Sequence, residues 1–275
     1  MVDLIDSHAH LTDDSLYGSI GAILDRMGEA GVRRVVNICT DSETLKRGIA
    51  VAESDPRVVN TAAVTPHDVD SIGNRFFPEV CLAAERGEIV AVGETGLDYH
   101  YAHSEPGHQR ESFIAHCELA VKCGLPLVIH CREAFGDFFE IIDRHYVNRG
   151  GKELILHCFT GTEEEAQELV KRQFFVSLSG IVTFKKSTAL QGVAKMIPLD
   201  LLLIETDAPY LAPQSRRGKS NEPAFLPEIC AYIAQLKGVD VGAVAEATAR
   251  NAEKLFFSRS LKKLANQCGD HCADE

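Results

Sequence analysis

The sequence predicts an α/β protein, a single-domain (β/α)8 TIM barrel with one additional C-terminal helix. Short apolar, β-branched runs alternate with amphipathic stretches through the chain, the order that yields a parallel sheet wrapped by helices. Its 275 residues suit one such barrel, which takes about 250. Five of the runs end in residues able to bind a metal: LIDSHAH in His8 and His10, IVAVGET in Glu94, LPLVIH in His130, LILHC in His157 and LLLIETD in Asp207. A barrel gathers the C-terminal ends of its strands on one rim, where active sites are built, so ligands far apart in sequence converge.

Strands are expected at 3–8, 33–39, 57–64, 89–93, 126–130, 153–157, 174–178 and 201–205. Helices are expected at 18–30, 42–53, 75–86, 107–123, 133–147, 163–172, 187–196 and 226–237. Local punctuation supports these limits. Gly31 and Gly124 stand where the first and fourth helices should stop, because glycine accepts the left-handed conformation that ends a helix. Asp41 or Ser42 can cap the second helix, and Thr162 with Glu165 has the spacing of a capping box. A last helix near 240–256 would close the barrel from outside. The domain is expected over 1–260, with 261–275 as a polar, disordered tail. Metal binding by Cys268, His271 and Cys272 in that tail is the less favoured reading.

Composition narrows the function. No run approaches the roughly 20 apolar residues of a membrane span, and the first residues, MVDLIDSH, lack the basic and apolar regions of a secretion signal. A soluble, cytoplasmic monomer is expected. The nine cysteines are scattered, several within apolar runs, so free buried thiols are expected rather than a disulfide framework. The net charge of −12 disfavours a broad nonspecific nucleic-acid surface, though a local cationic cleft around bound divalent ions remains compatible with it.

His8 and His10 are two apart, and in a strand such side chains point to one face and can reach one cation. With Glu94, His130, His157 and Asp207 they make a candidate two-metal hydrolytic centre for Mg2+, Mn2+ or Zn2+, with Fe2+ also suited to the histidines. Two ions about 3.5–4 Å apart can activate a water and stabilise both oxygens of a displacement at phosphorus. Asp207 is the candidate general base. Glu205, two residues earlier, can orient the water or a histidine, and a buried core role is its competing reading. Arg132 and Lys219 are candidate phosphate contacts, Arg as a fork and Lys as a point charge, with Arg217, Asn221 and His67 as further candidates. His100, His103 and His108 read mainly as exposed; Tyr99 and Tyr210 are base-stacking or packed; Lys171, Arg172, Lys185 and Lys186 read as solvated.

IDSHAHL, VGETGLDYHY, LPLVIHCREA, LILHCFTG and LLLIETDAPYL resemble the signature segments of the TatD family of metal-dependent deoxyribonucleases, in the amidohydrolase-like superfamily. RGKSNEPAFLP at 217–227 is similar to that family's loop after the last strand, and the resemblance runs from residue 3 to about 257. It implies hydrolysis of phosphodiesters of DNA, with RNA as the alternative, on single-stranded or exposed ends. It also implies a partition in which His8, His10 and Asp207 hold one ion, His130 and His157 the other, and Glu94 bridges. The third-strand segment AAVTPHD departs from the family's usual G-x-H-P-H, so Thr65 stands where a substrate-facing histidine is expected. The same metal pair would equally serve an amidohydrolase-type enzyme acting on a small ester, lactone or amide, since fold alone does not choose. A non-catalytic barrel is the third alternative.

Overall fold

The computed structural model describes residues 3–258 apart from 102 and 152. The polar tail and its Cys268, His271 and Cys272 lie outside the described residues. Eight parallel strands follow one another around a single sheet in chain order: β1 Leu4–Ala9, β2 Val32–Cys39, β3 Val58–Ala62, β4 Ala91–Asp98, β5 Leu127–Arg132, β6 Leu154–Leu156, β7 Phe175–Leu178 and β8 Leu202–Ile204. The ring closes just past β8, where Asp207 donates its N–H to the His8 carbonyl (2.9 Å) and His10 donates to the Ala208 carbonyl (2.7 Å). The expected barrel is therefore the observed one.

The helices α1 Asp14–Tyr17, α2 Ile20–Glu29, α3 Ser42–Ser54, α4 Val69–Arg86, α5 Pro106–Cys123, α6 Phe135–His145, α7 Glu163–Lys171, α8 Thr188–Met196, α9 Leu226–Lys237 and α10 Val241–Ala252 cover the sheet. Three differ from the sequence expectation for local reasons. The first is split, because Asp13 caps a short turn by accepting the Ser15 N–H, and the chain breaks at Gly18 and Ser19 before α2 begins. α4 starts at Val69 rather than 75, since Val69 and Ile72 already pack on the core. α10, with the turn that follows it, covers the strand N-termini rather than lying only outside the barrel. Its Ala252, Leu255 and Phe256 pack with Ile5, Val36, Val128, Ile155 and Leu203, Asn251 donates to the Leu199 and Leu202 carbonyls, and Glu253 pairs with Arg33 and Arg34.

That arrangement plugs one mouth with apolar side chains and leaves the other, at the strand C-termini, for polar ones. Capping runs as the sequence suggests: Asp41 caps α3 and Thr162 with Glu165 forms a reciprocal capping box on α7. Among the described residues the cysteines are free, and no helix is long and apolar enough to cross a membrane.

Candidate metal centre

β4 runs on to Asp98 instead of stopping at 93, so Glu94 lies within a strand. Glycine makes this possible. Gly96 is opposite His130 in the β4–β5 register, and a Cβ on it would sit 2.0 Å from the His130 carbonyl oxygen; one on Gly93 would sit 2.5 Å from Val128. Two glycines flanking the glutamate thus let β5 approach closely enough for His130 to reach it.

Glu94 divides its oxygens. Oε2 lies 3.4 Å from His8 Nε2 and 3.7 Å from His10 Nε2. Those two nitrogens are 3.3 Å apart, and Asp207 Oδ1 is 3.6 and 3.4 Å from them. Ligand atoms about 2.0–2.2 Å from a tetrahedral ion are spaced roughly 3.4 Å from one another, so these four atoms have the spacing of a cation's shell. Oε1 lies 2.9 Å from His157 Nε2 and 3.1 Å from His130 Nδ1, with the two nitrogens 3.4 Å apart. Imidazole nitrogens facing each other with a carboxylate between them fit a second cation. The spacing and donor chemistry can therefore hold two ions.

Supporting groups hold this arrangement. Asp98 Oδ2 is 2.7 Å from His130 Nε2, which places that ring's proton on Nε2 and turns the Nδ1 lone pair to Glu94. Asp98 Oδ1 accepts the N–H groups of His100 and Tyr101. Asp6 accepts from the Thr206 hydroxyl and N–H and from the His8 N–H, tying β1 to the Asp207 segment. Glu205 is fully buried; its Oε1 accepts the Cys158 N–H and lies 3.4 Å from His157 Nδ1. It faces a histidine and the core, not the open cleft, which corrects the water-orienting alternative. Asp98 and Asp6 were not anticipated as site residues. The available signal was strand alternation, which puts Asp98 on the Glu94 face and Asp6 on the His8 face.

The electrostatics follow from burial and proximity. Burial pushes the Glu94 carboxyl up, but His157, His130 and His8 outweigh it and hold the group well below the usual carboxylate range. Asp98 is likewise drawn down to about 2, with burial opposed by the hydrogen bond to His130. Burial lowers His157, yet Glu94 and Glu205 bring it well above an ordinary histidine. His8, whose Nδ1 is buried without a partner, is lowered by burial and by His157. Ionised carboxylates amid imidazoles make a strong cation sink. Backbone conformation is unusual here too: Asp207, Cys158 and Glu133 have φ of 59°, 43° and 55°, a region non-glycine residues occupy rarely and often at functional sites.

These side chains line a cleft of about 1250 Å³. Arg132 and His67 border it, with the Arg132 guanidinium 4.8 Å over the Tyr101 ring and His67 Nε2 3.6 Å from Asp98 Oδ2. Thr65 lines it with its hydroxyl donated to Asp68. The other rim expectations fall elsewhere. Asn221 is fully buried and donates both ways to the Thr206 and Tyr210 carbonyls; it braces the loop around Asp207 and has no surface for a substrate. Lys219 is exposed on that loop, outside the cleft lining, and Arg217 lies over Phe184. Tyr99 donates its hydroxyl to Asp137, and His108 pairs with Asp70. The remaining charged lining is mostly acidic, with Asp13, Asp14, Asp41, Glu163, Glu164 and Glu165 against the single further cation Arg47.

Known proteins share this sequence and this shape. The family model described as TatD related DNase matches residues 5–257. A protein of Escherichia coli K12 named as the uncharacterized metal-dependent hydrolase YcfH is 39% identical over 264 residues, covering 92% of this chain and 95% of its own. One of Citrobacter rodentium named 3'-5' ssDNA/RNA exonuclease TatD is 34% identical over 258 residues, covering 92% and 97%. The crystal structure of the E. coli TatD homolog YjjV superposes with a TM-score of 0.86 at 26% identity, over 93% of this chain and 99% of that one.

Proposed function

The chain belongs to the TatD related DNase family, and from that membership we propose that it hydrolyses phosphodiester bonds of single-stranded or end-exposed DNA, or of RNA, at a two-metal centre. The observation that carries the proposal is Glu94, with one oxygen among His8, His10 and Asp207 and the other between His130 and His157. In this reading His8, His10 and Asp207 would hold one divalent ion and His130 and His157 the other, with Glu94 as a ligand available to both. Such a pair, when bound, supplies the charge that polarises a phosphoryl group and lowers the pKa of a water toward neutrality.

The chain's own residues supply the rest. The Asp207 carboxylate takes the proton of the attacking water as that water's oxygen bonds to phosphorus and the P–O bond to the leaving oxygen breaks, and it then returns the proton to the leaving alkoxide; it is ionised beforehand because His10 and His8 counter the effect of burial. Asp98 and Glu205 keep His130 and His157 in the required tautomers. Arg132 and His67 grip the non-bridging phosphate oxygens. The acidic lining residues repel a duplex laid broadly across the cleft and favour the end of a thin strand. They also favour the second reading, an amidohydrolase-type enzyme for a small uncharged ester, lactone or amide.

Digestion of end-labelled single- and double-stranded oligonucleotides by chelator-treated protein, titrated separately with Mg2+, Mn2+ and Zn2+, separates the two. The nuclease reading expects no cleavage without metal and restored cleavage, faster on single strands, with at least one ion. Hydrolysis of carboxyl esters or lactones with no oligonucleotide cleavage under any metal would replace it with the second reading.

A further inference from the structure

Six tyrosines occur in the chain, and four have structural work. Tyr99 donates to Asp137, Tyr146 is buried with its hydroxyl on the Glu153 carbonyl, Tyr17 packs under Arg47, and Tyr232 accepts from Gln191. The other two, Tyr101 and Tyr210, are 45% and 52% exposed and are the exposed aromatic side chains among the described residues. Tyr210 lines the cleft, and Tyr101 stands at its edge against two lining residues, Arg132 and His67. The two tyrosines are rooted after β4 and β8, strands four places apart in an eight-strand ring.

A continuous row of rings joins them. Tyr210 meets His10 edge-on at 5.7 Å, His10 meets His8, His8 stacks on His157 at 3.9 Å, His157 meets His130, His130 meets His67, and His67 meets Tyr101 at 5.7 Å. The metal-binding nitrogens lie within the row, and the two exposed phenol rings end it. Each ring is held in place. Tyr210 is held edge-on against His10 and its backbone N–H donates to the Asp207 carbonyl, while Tyr101 lies under the Arg132 guanidinium and is stacked with His103 at 5.6 Å.

We propose that Tyr210 and Tyr101 are stacking posts for the unpaired bases on either side of the scissile phosphate, with Arg132 holding the phosphate next to Tyr101. The proposal rests on the nuclease reading and deepens it. Every base has a π-face, so aromatic posts bind any sequence; a base inside a duplex has both faces covered by its neighbours, so the same posts select single strands and frayed ends. Phenol rings exposed at the mouth of a mostly acidic cleft give affinity that does not depend on charge, where cationic side chains are few.

The test compares two single-stranded substrates: an ordinary end-labelled oligonucleotide, and the same strand with baseless tetrahydrofuran residues at the two positions of the cleaved end. For the ordinary strand, Tyr210→Ala and Tyr101→Ala should each raise KM roughly 5- to 150-fold, the value of a stacked base, while Tyr210→Phe and Tyr101→Phe stay near the parent. On the baseless strand the parent should already show the weakened KM, and the alanine variants should add little. Alanine variants that leave KM on the ordinary strand unchanged, or that lose equally on both strands, overturn the posts while leaving the nuclease reading intact. A metal-loaded parent that cleaves neither strand overturns both.

Discussion

Glu94 has a different neighbour at each oxygen, so its loss should damage both halves of the centre at once. Glu94→Ala should abolish hydrolysis and leave less than one tightly held ion per chain by elemental analysis. A folded variant that retains two ions and the parent rate would remove the bridging role. Asp98 touches no open space, being fully buried, and acts through His130. Asp98→Asn offers the imidazole an uncharged partner at the same place, and changes of this kind typically cost 10- to 100-fold in metal affinity or activity. Metal titration followed by calorimetry should show the loss in one of the two sites only; an equal weakening of both would place Asp98 elsewhere in the scheme. His8, His10, Glu94, His130, His157 and Asp207 were legible because each ends an apolar run. Asp98 and Asp6 were not, because their partners, His130 and Thr206, lie 32 and 200 residues away.

Within β4, two glycines in eight residues make a weak strand signal, and the strand continues to Asp98, past the expected end at 93. Close approach to β5 is the reason for the glycines. Gly96→Ala would put a methyl 2.0 Å from the His130 carbonyl, and with no flexible atom to yield, the strands must part. The cost should exceed the roughly 1–3 kcal/mol of ordinary overpacking, lowering the melting temperature by about 2–4 °C per kcal/mol for a chain of this size. Gly192→Ala is the contrast, because Gly192 lies in α8 with nothing near its missing Cβ. There the helical preference of alanine should stabilise by about 0.5–1 kcal/mol. Equal melting temperatures for the two variants would contradict the close-approach account. The split first helix and the early start of α4 were hidden for a related reason: Asp13 acts through a cap, and Val69 and Ile72 join the hydrophobic face only once the barrel exists to receive them.

Across the whole molecule, stability should depend on pH through a histidine far from catalysis. His116 is buried on α5, accepts the Val64 N–H at Nε2 and gives Nδ1 to the Ser112 carbonyl, and burial pulls its pKa down to about 4. Between pH 6.5 and 4 the unfolded chain takes up a proton there that the folded chain refuses, so this contribution is present above about 6.5 and is lost as pH falls toward 4. Its size is on the order of 3 kcal/mol. Asp6 runs the other way over much of the same range, because burial raises its carboxyl to about 7; the folded state keeps that proton and loses the benefit as pH rises from about 4 to 7. The net profile of the parent is therefore flattened, and a difference between variants is needed to see either group. His116→Gln, which keeps an acceptor for Val64, should lose less stability than the parent between pH 6.5 and 4 in urea unfolding. Parallel profiles for the two proteins would show that His116 is not held neutral.

The sequence alone determined the barrel and the six residues of the candidate centre, since alternation of apolar runs with amphipathic segments is local information and the strand ends of this fold share one rim. It could not determine which polar residues near those runs face the cleft. Asn221 and Lys219 sit in one loop and both read as substrate contacts, yet folding turns Asn221 inward to brace the loop on Thr206 and Tyr210 and leaves Lys219 outside the cleft lining. Tyr99 and Tyr101 are two residues apart, yet Asp137 claims the first and the second stays exposed beside Arg132. Which side chain a distant helix or loop captures depends on the packing of elements far apart in the chain. That packing exists only once the ring has closed between β1 and the segment after β8.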